Sequence, residues 1–98
     1  MEDMKKLIKM SMRMLTEADS YASKYHECKM KDHIQMADLY YKMAQLHLDG
    51  YQQVKTMIAT HLNNMRRDVP HSVMPEVVMM VREVENDLYT DIQEKMKH

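Results

Sequence analysis

The sequence predicts an all-α protein, a three-helix up-down-up bundle with a long central helix. Three observations predict it. One Gly and two Pro in 98 residues leave few places to turn. Apolar residues recur at steps of three and four over long stretches, the period of an amphipathic helix. The β-branched alternation and turn punctuation that strands need are absent.

Helix 1 is expected near residues 2–29. Its seam reads Met4, Leu7, Ser11, Met14, Ala18, Tyr21, Tyr25, Cys28, with Ile8, Leu15 and Ala22 beside it, and Ser11 is the one polar member. The segment Lys29-Met30-Lys31-Asp32 is the first break. Lysines suit the negative end of a helix, and Asp32 is expected to cap the next one. Helix 2 is expected over about 33–66. Its main seam is Ala37, Tyr40, Ala44, His47, Tyr51, Val54, Ile58, His61 and Met65. A second row is Met36, Leu39, Met43, Leu46 and Met57, and a third is Ile34, Tyr41, Leu48 and Leu62. A helix apolar on several sides packs against more than one neighbour. Gly50 lies within it at a cost of about 1 kcal/mol against Ala. It either admits a close neighbour or marks a bend, and close approach is the favoured reading. Arg66, Arg67 and Pro70 end the helix. Ser72 or His71 precedes helix 3, expected over about 75–96 with Pro75 in its first turn. Its core face is expected to carry Val77, Val81, Val84, Leu88, Ile92 and Met96, flanked by Val78 and Tyr89.

Ninety-eight residues allow one domain, 1–98, with a small margin of stability. Fourteen basic residues nearly balance fifteen acidic ones, so no overall field marks a nucleic-acid or membrane binder. Charge is uneven along the chain. Residues 68–98 hold seven Asp/Glu against three Lys/Arg, and the first 31 hold seven basic against five acidic, as helices of opposite sign packed together would. No apolar run reaches the roughly 18 residues of a membrane span, and charges interrupt the first ten residues where a signal peptide would be apolar. The expected compartment is cytoplasmic.

Groups that could carry chemistry are few. His33, His47 and His61 are fourteen residues apart, about 21 Å along one helix, so they cannot share an ion within it. Each reads as a histidine with one hydrogen-bond partner; a metal ligand or a pH-responsive seam are the alternatives. For His47 the Met14/Leu15 region of helix 1 offers no ligand, while helix 3 can bring Asp91 or Glu94. The lone Cys28 cannot form an intrachain disulfide and does not face His26, two residues away. No Gly-rich loop cradles phosphate, and basic residues are not interleaved with aromatics. Neither catalysis nor a cofactor is expected.

The stretch Ala37-Asp38-Leu39-Tyr40-Tyr41-Lys42-Met43-Ala44-Gln45-Leu46-His47-Leu48-Asp49-Gly50-Tyr51 resembles the middle helix of small ferritin-like helical proteins of gut Firmicutes and their phages, most without an assigned function. The resemblance covers helix 2 well, the Pro-containing turn and helix 3 loosely, and helix 1 by pattern alone. It implies ferritin-like packing. It does not carry over the di-iron centre, because the Glu-x-x-His pair such sites need is replaced by His47 and Gly50.

Fourteen Met and no Phe or Trp point to adaptable packing and, where Met is exposed, to adaptable binding. Helix 3 is too short to cover all of the row Met36, Leu39, Met43, Leu46, Met57. That row is the expected protein interface, with a second copy or another protein as partner. The expected function is a non-enzymatic interaction module. The phage resemblance implies a host or defence protein as its target. The alternative is a small metal-binding bundle of degenerate ferritin-like type.

Overall fold

The computed structural model describes residues 2–97 (for Glu2, the backbone alone); Met1 and His98, the ends of the expected domain, lie outside them. Among the described residues there are three helices and no strand: α1 (Glu2–Met30), α2 (Ile34–Asp68) and α3 (Met74–Met96). They form a rod of 54 × 18 × 17 Å. None is long and apolar enough to cross a membrane.

The breaks show why the helices stop. Asp32 does not cap α2; it ends α1. Its φ is 61°, in the left-handed region. The Asp32 amide donates to the Lys29 carbonyl at 3.1 Å and the His33 amide to the Cys28 carbonyl at 2.8 Å. These two bonds close the last turn in the Schellman manner, with Asp32 where glycine is usual. His33 then precedes α2 with no side-chain cap. At the second break the Ser72 hydroxyl accepts from the Met74 amide at 3.1 Å, and Pro75 sits in the first turn of α3.

Contacts between helices fix their register. Along α1 and α2 they run in opposite order: Tyr25 meets Tyr41, Glu17 meets His47 and Met14 meets Gly50. Along α1 and α3 they run in the same order: Ser11 meets Glu85, and Lys95 donates to Asp19 at 2.6 Å and to Ser23 at 3.0 Å.

The core has two apolar parts. One gathers Leu15, Ala18, Ala22, Ala44, Leu48, Tyr51, Ile92 and Met96. The other gathers Met4, Leu7, Val54, Ile58, Leu62, Met74 and Val78. The expected seams of α1 and α2 face it. The α3 seam matches at Ile92 and Met96 but not in its first half. Val77 and Val84 are exposed, 43% and 58%, while Met74, Val78, Glu85, Ile92 and Met96 are buried. The helix is turned so that a carboxylate, not a valine, faces inward at mid-length.

The neighbour at Gly50 is a side chain rather than a helix backbone. A β-carbon there would lie 3.1 Å from Sδ and 3.4 Å from Cε of Met14. A thioether end can shift by a few tenths of an ångström. Gly50→Ala is therefore expected to raise stability, by up to about 1 kcal/mol from helix propensity. Urea unfolding at one fixed protein concentration measures this; a lower midpoint would show that what lies against Gly50 cannot give way. Asp32→Gly is expected to add roughly 0.5–1 kcal/mol by removing the left-handed cost at the α1 stop. An unchanged midpoint would mean that the aspartate bears no such cost.

Candidate functional site: an apolar row and a polar waist

The α2 residues singled out as an interface occupy one stripe. From Met36 the steps are three to Leu39, four to Met43 and three to Leu46, then on through Gly50 and Gln53 to Met57. That alternation is the spacing of a coiled-coil seam. Met36, Leu39, Leu46 and Met57 are exposed, Leu46 by 61%, and Met43 is half-buried. The third row divides instead. Ile34 is exposed, Tyr41 is half-buried, and Leu48 and Leu62 enter the core.

The flank of this stripe beside α1 is aromatic and polar. Tyr21 lies 6.2 Å from Tyr40 and 5.3 Å from His47, ring centre to ring centre. Lys24 stands over both Tyr21 and Tyr40. The acidic partner of His47 is Glu17 of α1, not Asp91 or Glu94 of α3. His47 Nε2 is 2.8 Å from Glu17 Oε2, and Nδ1 is 2.9 Å from the Met43 carbonyl. A neutral imidazole donates to one of these acceptors and the imidazolium to both. Glu17 was overlooked because the position one turn from Met14 sits at the edge of the α1 seam. His47 is thus held as a structural group. His33 is exposed and His61 half-buried. Among the described residues no three His, Cys, Asp or Glu side chains come together. Cys28 is a free, half-buried thiol.

At the junction of the two apolar clusters lies a polar waist. Ser11 is fully buried, Tyr51 nearly so, and Glu85 is 5% exposed. The Ser11 hydroxyl donates to the Ile8 carbonyl at 2.8 Å and reaches Glu85 Oε1 at 3.4 Å. The buried Tyr51 hydroxyl lacks a partner of full hydrogen-bond geometry among the described residues. It is still close enough to Glu85 that each affects the other's titration. Burial pushes the Glu85 carboxyl above its usual value, against the Ser11 and Tyr51 hydroxyls and the positive charges of Arg82 and Lys55. Burial, with the charge of Glu85 next, pushes the Tyr51 phenol up to about 12. A protonated Glu85 can donate to Ser11, which donates onward to Ile8, so the neutral form has a complete chain of partners. Sequence reasoning missed Glu85 although a signal was present. Stepping back from Met96 and Ile92 by threes and fours passes through Glu85 to Val78 and Met74, and Ser11 broke the α1 seam opposite it.

The sign of the resulting pH dependence follows from that raised value. Below the ordinary glutamate range Glu85 is neutral in both the folded and unfolded chain. As pH rises past 4.5 the unfolded chain ionises first, so stability falls until the folded carboxyl has also ionised. Glu85→Gln is therefore expected to melt near the wild-type temperature at about pH 4 and above it at about pH 7. Parallel melts across that window decide; a gap that does not widen with pH would show that Glu85 folds as an ordinary solvated carboxylate. No protein-family model, curated protein or solved structure matches this chain, so residues and geometry alone bear on its function.

Proposed function

We propose that the chain is a cytoplasmic, non-enzymatic helical interaction module, up-down-up in its course, which binds protein through the apolar row of α2. The observation that carries this reading is the exposure of Met36, Leu39, Leu46 and Met57 on one seam of a helix whose opposite side is buried. Burying one such side chain is worth about 1.5–3 kcal/mol. The whole stability of a small domain is about 5–15 kcal/mol, so several bare side chains matter. Opposite-order contacts along α1 and α2, and same-order contacts along α1 and α3, support the up-down-up course. The partner is a second copy or, as the resemblance to phage and gut-bacterial helical proteins implies, a host or defence protein. Ferritin-like packing belongs to the same reading: two α1–α2 hairpins joined along α2 set four helices side by side.

A photo-reactive residue placed at Leu46 is expected to capture protein in cells, while one at Gln52, exposed on another face, is not. The mass of the adduct separates self from another protein. Changing Leu39→Glu and Leu46→Glu together is expected to abolish the capture with helicity unchanged by circular dichroism, since both side chains are at least half exposed. Equal labelling from both sites, or none from Leu46, would end the case for this surface.

A further inference from the structure

We infer that the occupant of the α2 row is the α2 row of a second copy, lying antiparallel. This rests on the reading of that row as an interface and adds the partner, its direction and its register. The row from Met36 to Met57 rises about 32 Å, long enough for several interlocking layers. Antiparallel pairing about its middle sets Met43 against the partner's Leu46 and Leu46 against the partner's Met43. One layer further out, Leu39 meets the partner's Gly50. Gly50 has no side chain, and the Met14 thioether lies 3.1 Å from where its β-carbon would stand, so the partner's Leu39 packs on bare backbone and that thioether. Met36 meets the aliphatic stem of the partner's Gln53, and Met57 closes each end over the partner's α1–α2 turn. A parallel pair would stack Gly50 on Gly50 and Gln53 on Gln53, setting a layer with no side chain and a polar layer in the seam.

Charge along the outer flank selects the same register. Gln35, Lys42, Asp49 and Thr56 follow each other at seven-residue steps beside the row, all exposed. In the antiparallel arrangement such flank positions face their own kind across the seam. Lys42 then faces the partner's Asp49, Asp49 faces the partner's Lys42, and Gln35 faces the partner's Thr56. Within one chain Lys42 pairs with Asp38 at 3.1 Å and Asp49 accepts from Gln45 at 3.0 Å. Both are exposed contacts within one helix, of the kind worth little, and they yield readily to a pair across an interface. The side of the row nearest α1 is lined by Tyr40, His47 and Val54, so the two α1 helices flank the α2 pair, with Met14 reaching the seam at Gly50.

Charge exchange tests this without touching the core. The unmodified protein is expected to have dimer mass by light scattering at micromolar concentrations. Lys42→Glu alone and Asp49→Lys alone are each expected to weaken association by about tenfold or more, and the double variant to recover most of it. A Cys28→Ser background with Met43→Cys in one chain and Leu46→Cys in another is expected to cross-link on mixing, while Met43→Cys alone is not. A monomeric mass throughout overturns the second copy as occupant; capture of a different protein at Leu46 in cells would then still support the wider reading of the row. A dimer that cross-links through Met43→Cys alone, or whose charge exchange gives no recovery, overturns the antiparallel register. A dimer indifferent to Leu39→Glu with Leu46→Glu overturns both.

Discussion

The physical constraint on which this molecule turns is the circumference of α2, which is apolar over a wider arc than two neighbours can cover. Ala37, Ala44, Leu48, Tyr51, Val54, Ile58 and Leu62 bury one side of it against α1 and α3. The Met/Leu row lies round the helix from that side and stays in water. Two features prevent the bundle from closing over it. α3 has 23 residues against 35 in α2. Lys95 also draws α3 toward Asp19 and Ser23 of α1. In the proposed reading, coverage of the remaining face comes from outside the chain, with a driving force set by apolar area.

The orientation of α3 reflects a contest between its ends and its middle. Hydrophobicity alone would turn Val77 and Val84 inward and Glu85 outward. The ends prevent it. Met74 and Val78 enter one apolar cluster, and Ile92 and Met96 the other. All four sit on the face that also carries Glu85, and a stiff helix cannot turn its middle independently. The cost of burying one carboxyl is limited because the carboxyl can stay protonated and because Ser11 stands opposite it. Four well-buried apolar side chains outweigh two valines left half in water.

What the sequence made legible follows from this contest. Helix number, both breaks and the seams of α1 and α2 could be read, because periodicity there is unopposed: apolar residues occupy nearly every inward position, and Pro70 and Pro75 punctuate the second break. The first half of the α3 face could not be read by counting apolar residues, because Val77 and Val84 compete there with Met74 and Val78, and the pair on the Glu85 face is the buried one. The role of Asp32 was hidden because an aspartate before a helix suggests a cap, while the same residue tolerates the left-handed φ that ends the preceding helix. The exposed α2 row was legible in its members, since its length could be compared with that of α3. Its polar flank was not, because the meaning of Lys42 and Asp49 depends on which side of the row lies against α1.

Methionine content completes the physical picture. Along the α2 row Met and Leu alternate: Met36, Leu39, Met43, Leu46. Leucine supplies a branched shape with few rotamers, and methionine a chain that bends to fill what remains. Met14 already behaves this way inside the chain, laying its thioether over the bare backbone of Gly50. In the reversed register Met43 meets the partner's Leu46 and Leu46 the partner's Met43, so at the centre of the row a rigid side chain lies against a compliant one. Direct stacking would set Leu on Leu and Met on Met. The same alternation that makes the row adaptable therefore favours one direction of pairing, with the flank charges acting in the same sense.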